Sequence, residues 1–327
     1  MNPFDFQRAG DALGAVHAIS GDAKFLAGGT NLIDLMKNGV ERPRKLIDIN
    51  RVALAAIEPL PGGGLRIGAL ARNSDTANHP LVRQKYPLLS KAILAGASPQ
   101  LRNLATNGGN LMQRTRCPYF MNIEFAHCNK RIPGSGCDAL HGFQRMHAIF
   151  GASEQCIAVH PSDMCVALAA LDAVIRVQSP RGERTIAMAD FHRLPGETPQ
   201  LDTNLKPDEL ITAIDLPPSP YAAHCDYIKV RDRASYEFAL VSAAVGLDVE
   251  GGTIRGARIS LGGVAHRPWR AERAEQAVLG KRPAVELFET AGRAAVEGAR
   301  PYPGNAFKVH LAQRAVVRAL SAAGGVA

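Results

Sequence analysis

Aromatic residues are scarce in this chain, at 6% of 327 residues with a single Trp, and its excess of Lys and Arg, a formal charge of +8, is scattered rather than gathered into a patch. Without a basic stripe, stacking side chains or a DNA- or RNA-binding motif, nucleic acid is not an expected partner. The positive charge is read instead as serving acidic cofactors and an acidic partner surface, or solubility alone. No apolar run approaches the roughly 18 residues of a spanning helix, so membrane insertion is not expected. Met1-Asn2-Pro3-Phe4-Asp5 lacks the charged and apolar regions of a signal peptide, and no signal peptide of its own is expected. Also missing are the G-x-G-x-x-G fingerprint and the P-loop, which removes Rossmann and kinase-like readings. No nucleophile elbow or metalloprotease motif occurs either. With 46% hydrophobic and 21% charged residues, the composition is that of a globular protein, and the length suggests about two domains.

What the chain does have is paired glycines. Lys24-Phe25-Leu26-Ala27-Gly28-Gly29-Thr30-Asn31-Leu32 runs from a short apolar strand into Gly-Gly, then into a Thr/Asn cap ahead of the apolar positions Leu32, Leu35 and Met36. Such a join aims backbone N–H groups and a helix N-terminus at an anion. A second pair lies in Thr106-Asn107-Gly108-Gly109-Asn110. Adjacent glycines there let the backbone approach a large ligand, with exposed N–H groups facing its phosphates. Taken alone, that pair also reads as an ordinary surface turn. Two such loops suit a dinucleotide pyrophosphate held from both sides.

Four of the six cysteines, Cys117, Cys128, Cys137 and Cys156, follow with ten, eight and eighteen residues between them. Their surroundings are polar and punctuated by Pro118, Pro133-Gly134-Ser135-Gly136 and Gly142, a segment with little core of its own that something must order. A tetrathiolate set for an iron–sulfur cluster or for zinc would do so. Close C-x₂₋₄-C pairs, usual for structural zinc, are absent, and the wide spacing leans toward iron–sulfur. Free thiols or a disulfide loop are the remaining alternatives. Arg114, Arg116, Lys130, Arg131 and Arg145 would offset an anionic cluster, or are solvated loop charges. His127 and His147 fall in the same segment and read as polar loop residues, since four cysteines already complete a ligand set. Cys165 and Cys225 read as buried core thiols.

At these residues the chain resembles the FAD-binding subunits of molybdenum hydroxylases, the xanthine dehydrogenase and aldehyde oxidoreductase group. The matching motifs are residues 25–32, Thr106-Asn107-Gly108-Gly109-Asn110, Pro161-Ser162-Asp163 and Leu261-Gly262-Gly263-Val264-Ala265. The cysteine-bearing insert over about residues 113–160 makes it similar to the subset that carries an extra [4Fe–4S] cluster. Arg114-Thr115-Arg116-Cys117-Pro118-Tyr119-Phe120, Cys128-Asn129-Lys130-Arg131, Pro133-Gly134-Ser135-Gly136-Cys137 and Lys229-Val230-Arg231-Asp232-Arg233-Ala234-Ser235-Tyr236 resemble the flavin subunit of bacterial periplasmic aldehyde oxidoreductases.

The resemblance implies an α+β protein. Its FAD-binding domain, residues 1–218, has the two-subdomain fold of the p-cresol methylhydroxylase/vanillyl-alcohol oxidase type, with subdomains at about 1–60 and 61–218. A C-terminal α+β domain would span 219–327. Residues 25–32 would wrap the pyrophosphate, with Lys24 at their edge. Ala105, Thr106, Gly109 and Asn110 would lie along the pyrophosphate and ribityl chain, Asp163 would bond the ribityl region, and Leu216 and Lys229 would approach the adenine and flavin ends. No histidine flanks Gly28-Gly29, so the FAD would be noncovalent.

The partners implied are a large molybdenum-cofactor subunit, a small [2Fe–2S] subunit and an external electron acceptor. The organic chemistry would occur in the large subunit, and no side chain of this chain would act as acid, base or nucleophile on it. The protein would be periplasmic by co-export with a signal-bearing partner, or cytoplasmic. A flavin subunit of a 4-hydroxybenzoyl-CoA reductase-like complex, and a zinc-stapled assembly protein without flavin, are the rival readings.

Periodicity predicts a helix over 11–19, strands at 25–27 and 46–49, and helices at 74–78 and 88–95. A helix over 164–171 starts at a Ser162/Asp163 cap. The turn Ser179-Pro180-Arg181-Gly182 makes a hairpin of 173–177 and 184–186, and alternation predicts a strand over 210–216. Beyond the boundary at Leu216-Pro217-Pro218-Ser219-Pro220, strands are expected at 227–231, 240–247 and 254–261, and helices at 273–279, 284–297 and 307–322.

Overall fold

Three sheets organise the chain in the computed structural model, which describes residues 1–326. The first consists of β1 (Asp5–Arg8), β2 (Ala23–Leu26) and β3 (Lys45–Asp48), all parallel in the order β1-β3-β2. Parallel neighbours need crossovers. The helix Ala12–Ala18 leads from β1 to β2, its start set by Asp11, whose carboxylate accepts from the Gly14 N–H at 2.6 Å. The helix Leu32–Lys37 leads from β2 to β3. Periodicity does not reveal β1, because all four of its residues are exposed.

The second sheet is antiparallel, with β4 (Ile57–Pro59), β5 (Leu65–Gly68), β6 (Val174–Ser179), β7 (Gly182–Ala187) and β8 (Leu210–Leu216) in the order β4-β5-β8-β6-β7. A subdomain boundary at about residue 60 cuts a hairpin: Ile57 pairs with Ile67 across the left-handed Gly62 and Gly63. The sheet therefore begins at 57. The helices Pro87–Ala95 and Asp163–Ala170 share its core with Leu65, Ile175 and Ile214. All eight residues of Asp163–Ala170 are buried, which is why the seven that follow Asp163 are apolar all round.

The third sheet is also antiparallel, β9 (Cys225–Val230), β10 (Val241–Glu250), β11 (Thr253–Gly262) and β12 (Trp269–Arg270), in the order β12-β11-β10-β9. Gly251 and Gly252, both left-handed, close the β10–β11 hairpin as two-residue turns require. The helices Glu272–Val278, Val285–Ala295 and Phe307–Gly324 build the core on this sheet, and the last stops at the left-handed Gly325. Among the described residues no helix is long and apolar enough to cross a membrane.

Residues 113–160 contain the short helix Pro118–Met121, a 3₁₀ turn at Asp138–Leu140 and otherwise irregular chain. The segment is not left to order itself. Ile149 and Phe150 are buried in the core of the third sheet, both donate backbone N–H groups to the Val264 carbonyl, and Phe150 stacks on Trp269 at 4.8 Å. His147 departs from the polar-loop expectation, since it is only 1% exposed. His127 does lie at the surface, its ring 2.9 Å from Asp138.

Candidate functional site

A cleft with a cavity volume of about 290 Å³ opens where the sheets' loops meet. Thr30, Asn31, Ala105, Gly109, Asn110, Asp163 and Lys229 all line it. Of the segment 24–32, only Thr30 and Asn31 do so. Lys24 is half exposed and lies 3.8 Å from Glu41, while the residues between build the turn. Gly28 is required by packing: a Cβ there would lie 2.1 Å from the Leu104 carbonyl oxygen. Gly29 has φ +72°, a left-handed backbone that favours glycine. Asn50 ties the turn to β3, donating from Nδ2 to the Ala27 carbonyl at 2.9 Å and to Asp48 Oδ1 at 2.8 Å.

Among the described residues, the backbone N–H groups of Gly28, Gly29, Thr30, Asn31 and Leu32 find no acceptor. Five consecutive unpaired donors, two of them on residues that line the cleft, suit an anion. Asn31 adds another donor. Its Oδ1 accepts from the Arg114 N–H at 2.8 Å, while its buried Nδ2 has no partner. A buried donor without an acceptor is costly unless a ligand supplies one.

The second glycine pair behaves differently from the expectation. Asn107–Leu111 is a helical turn, and its N–H groups are used within the chain. Asn107 donates to Ala71 O, Gly108 to Ala69 O, Gly109 to Thr106 Oγ1 and Asn110 to Thr106 O. The expected row of exposed donors facing phosphate from this side is therefore corrected, because helix capping and the turn that follows β5 occupy them. Thr106 is buried as the cap, and Gly108 packs against Ala69.

Ala105, Gly109 and Asn110 nonetheless line the cleft. Asn110 is held in an amide ladder that nothing local in the sequence marks. Its Nδ2 donates to Asn73 Oδ1, Asn73 donates to Asn107 Oδ1, and Asn107 donates to Thr76 Oγ1, each at 2.8 Å. Ser162 Oγ donates to Asn110 Oδ1 at 2.6 Å.

Asp163 forms the floor. Ser162, not Asp163, caps the helix, its hydroxyl accepting from the Cys165 N–H at 3.0 Å. The Asp163 carboxylate is thereby free to accept from the Tyr227 hydroxyl at 2.6 Å and from Lys229 Nζ at 2.8 Å. Burial and the adjacent carboxylate hold the Tyr227 phenol well above its usual value, so it stays a donor. Lys229 also donates to the Ala95 carbonyl at 3.2 Å. Arg116 and Arg233 add positive charge to the walls. Burial lowers Arg116 to about 10, which leaves it protonated at neutral pH, and its guanidinium lies over Phe238 at 4.9 Å. Leu216, expected near one end of a cofactor, lies instead in β8 opposite Leu65 with its side chain fully buried in the sheet's core. Its side chain is not among those lining the cleft.

All six cysteines are free thiols, so the disulfide alternative is corrected. Cys128 and Cys137 pair backbone to backbone, and the four cysteines of the insert feel one another's charge. Among the described residues no three of their sulfurs lie within 4.8 Å of one another. A zinc tetrathiolate with 2.3 Å bonds would set its sulfurs about 3.8 Å apart. Burial pushes the Cys117 thiol up to about 12 and the Cys156 thiol up to about 11. Backbone N–H groups pull the other way, Phe120 and Tyr119 on Cys117 and Ala158 on Cys156. Three more address Cys137, from Ala139, Leu140 and Ile157. His147 Nε2 lies 3.1 Å from the Cys117 sulfur. Buried sulfurs with N–H donors aimed at them suit metal-bound thiolates.

Of the five nearby cations, Arg114, Lys130 and Arg145 are engaged by carboxylates, while Arg116 and Arg131 donate to the Arg114 and Phe125 carbonyls. Arg114 reaches Glu41 at 2.6 Å and Asp202 at 2.7 Å. Lys130 reaches Asp202 at 2.5 Å and His266 Nε2 at 2.7 Å. Burial would raise Asp202, but the His266 hydrogen bond and the Lys130 and Arg114 charges hold it well below the carboxylate range. This network fastens the insert to connections of all three sheets, at Glu41 ahead of β3, Asp202 ahead of β8 and His266 between β11 and β12. Asp202 and His266 carry no local motif, and only the fold identifies them.

Residues 2–219 match the model of the FAD binding domain in molybdopterin dehydrogenase, and residues 226–323 that of the CO dehydrogenase flavoprotein C-terminal domain. The chain is 52% identical over 302 residues to the aldehyde oxidoreductase FAD-binding subunit PaoB of Escherichia coli, covering 92% of this chain and 91% of that one. It is 28% identical to the carbon monoxide dehydrogenase medium chain of Hydrogenophaga pseudoflava, over 96% and 93% of the two. Among solved structures, reconstituted CO dehydrogenase from Oligotropha carboxidovorans superposes with a TM-score of 0.78 at 25% identity, covering 100% of both chains.

Proposed function

The chain belongs to the FAD-binding subunits of the molybdenum hydroxylases, an oxidoreductase family, and from that premise we propose that it is the FAD- and [4Fe–4S]-containing electron-transfer subunit of a heteromeric aldehyde oxidoreductase. Its partners are a large molybdenum-cofactor subunit and a small [2Fe–2S] subunit, and electrons leave through FAD to an external acceptor. The observation that carries the reading is the run of five unpaired N–H groups at 28–32 beside the orphaned Asn31 Nδ2. These donors suit the pyrophosphate of a dinucleotide.

Bound FAD would supply the capacity to take electrons singly and release them in pairs. This chain's residues bind, orient and shield it. Residues 28–32 hold the phosphates. The Asp163 carboxylate, positioned by Tyr227 and Lys229, retains lone pairs for ribityl hydroxyls. Asn110, fixed by Asn73 and Ser162, presents its amide beside them. Cys117, Cys128, Cys137 and Cys156 hold the cluster. Among the described residues no three of their sulfurs lie within 4.8 Å of one another, unlike those of a zinc tetrathiolate, and the N–H donors aimed at Cys117, Cys137 and Cys156 would stabilise thiolate charge.

The test is the flavin, iron, acid-labile sulfide and zinc content of anaerobically purified protein, repeated for Cys128→Ser. The expected result is about one FAD with four iron and four sulfide per chain, with iron lost and flavin kept in the variant. Flavin without iron would overturn the cluster assignment, and zinc without flavin would overturn both.

A further inference from the structure

One donor set lies outside both the cleft lining and the four-cysteine group. His160, Cys165 and His192 bring one sulfur and two ring nitrogens within 4.8 Å of one another. Cys165 is fully buried within the helix Asp163–Ala170, and His192, 2% exposed, follows the short helix Met188–Phe191. His160 arrives from the end of the insert, where its backbone N–H is fastened to the Ala265 carbonyl at 3.0 Å. Two stretches of chain, 160–165 and the residue after the helix Met188–Phe191, thus supply the three atoms.

Each of the two rings carries one unsatisfied nitrogen. His160 Nε2 and His192 Nδ1 are buried and have no hydrogen-bond partner. The other nitrogen of His192, Nε2, lies 2.9 Å from the Leu111 carbonyl, which can only accept. Donation there sets the tautomer and leaves a lone pair on Nδ1. The two rings lie with centroids 4.0 Å apart. Burial disfavours the imidazolium form of both, so the pair is neutral, the form that ligates metals. A buried N₂S set with free lone pairs suits a soft or borderline cation rather than calcium or magnesium.

We propose that His160, Cys165 and His192 bind a closed-shell transition-metal ion, Zn²⁺ or Cu⁺, at a site separate from the flavin and from the iron–sulfur cysteines. On binding, the Cys165 S–H proton is released to solvent as the sulfur–metal bond forms, and no electron is transferred. Cu⁺ with one thiolate is neutral and complete with three ligands, which suits full burial. Zn²⁺ takes a fourth ligand, and the cavity of about 20 Å³ lined by His160 and Ser162 has room for one water.

The experiment uses the cofactor-loaded protein, stripped with a chelator that leaves the cluster intact and then incubated with Zn²⁺ or, anaerobically, with Cu⁺. Metal, iron and flavin per chain are measured after desalting, for the wild type, Cys165→Ala and His192→Gln. About one equivalent of one of the two metals should be retained by the wild type, with a raised Tm, and at least a tenfold drop is expected in each variant. Iron and flavin should be unchanged. Retention of neither metal by the wild type, a measurement that needs no variant, would show that the nitrogens are met by water and overturn the proposal. Undiminished retention in Cys165→Ala would overturn it too. So would loss of iron in that variant, which would assign Cys165 to the cluster.

Discussion

Lys229 Nζ lies 2.8 Å from Asp163 Oδ2, with the two side chains 4% and 8% exposed, so β9 is joined to the helix Asp163–Ala170 by a buried ion pair at the floor of the cleft. Two charges so far from water depend on each other, and removing one partner of such a pair costs about 3–5 kcal/mol.

Asp163→Ala is therefore expected to destabilise the apoprotein by about that amount and to abolish flavin binding. Adding Lys229→Met removes the stranded ammonium and should restore part of the stability. Flavin affinity should stay lost, because the carboxylate that meets the cofactor is still missing. Urea unfolding of the apoproteins and flavin titration check the two halves separately. Recovery of flavin affinity in the double variant would show that Asp163 acts only through Lys229.

Gly28→Ala places a methyl 2.1 Å from the Leu104 carbonyl oxygen. The turn must then shift away from the wall that carries Ala105, at a cost of about 1–3 kcal/mol. Because the unpaired N–H groups start at this residue, FAD affinity should fall along with Tm. A variant that binds flavin normally would show that the loop has slack which the packing does not suggest.

Lys308 supplies a pH dependence. Its Nζ is fully buried, donates to the carbonyls of His147 at 2.8 Å and Gly263 at 2.5 Å, and burial lowers it from 10.5 to about 7. Between about pH 7 and 10, the unfolded chain holds a proton that the folded chain lacks. Stability should therefore rise with pH across that window, by about 1.4 kcal/mol per unit in its middle, and the gain is absent below pH 7. Lys308→Met should remove the slope. Unfolding free energies measured from pH 7 to 9.5 test this, and an unchanged slope would mean that other groups cause it.

Much of the architecture was legible from local patterns. The β10–β11 hairpin and the three C-terminal helices follow apolar periodicity closely, because each buries one face on a single core. The Gly28-Gly29 turn was legible for a related reason, since strand, glycines and helix are contiguous. Asn73, Asp202 and His266 were not, since each acts only on residues distant in sequence. The helix cap shows the limit at single-residue scale. Ser162 and Asp163 are both good caps, and only the position of Lys229 and Tyr227 frees Asp163 for the cleft.

The sequence by itself determined where the chain turns, which faces are apolar, and that four cysteines share one irregular segment, because these depend on neighbours along the chain. Tertiary structure alone decided what is free to act. Two glycine pairs look alike in sequence, yet the N–H groups of 107–110 meet Ala69, Ala71 and Thr106, while those of 28–32 meet no acceptor. A hydrogen bond is available to a ligand only if no distant acceptor reaches it first, and that is a property of the packed chain.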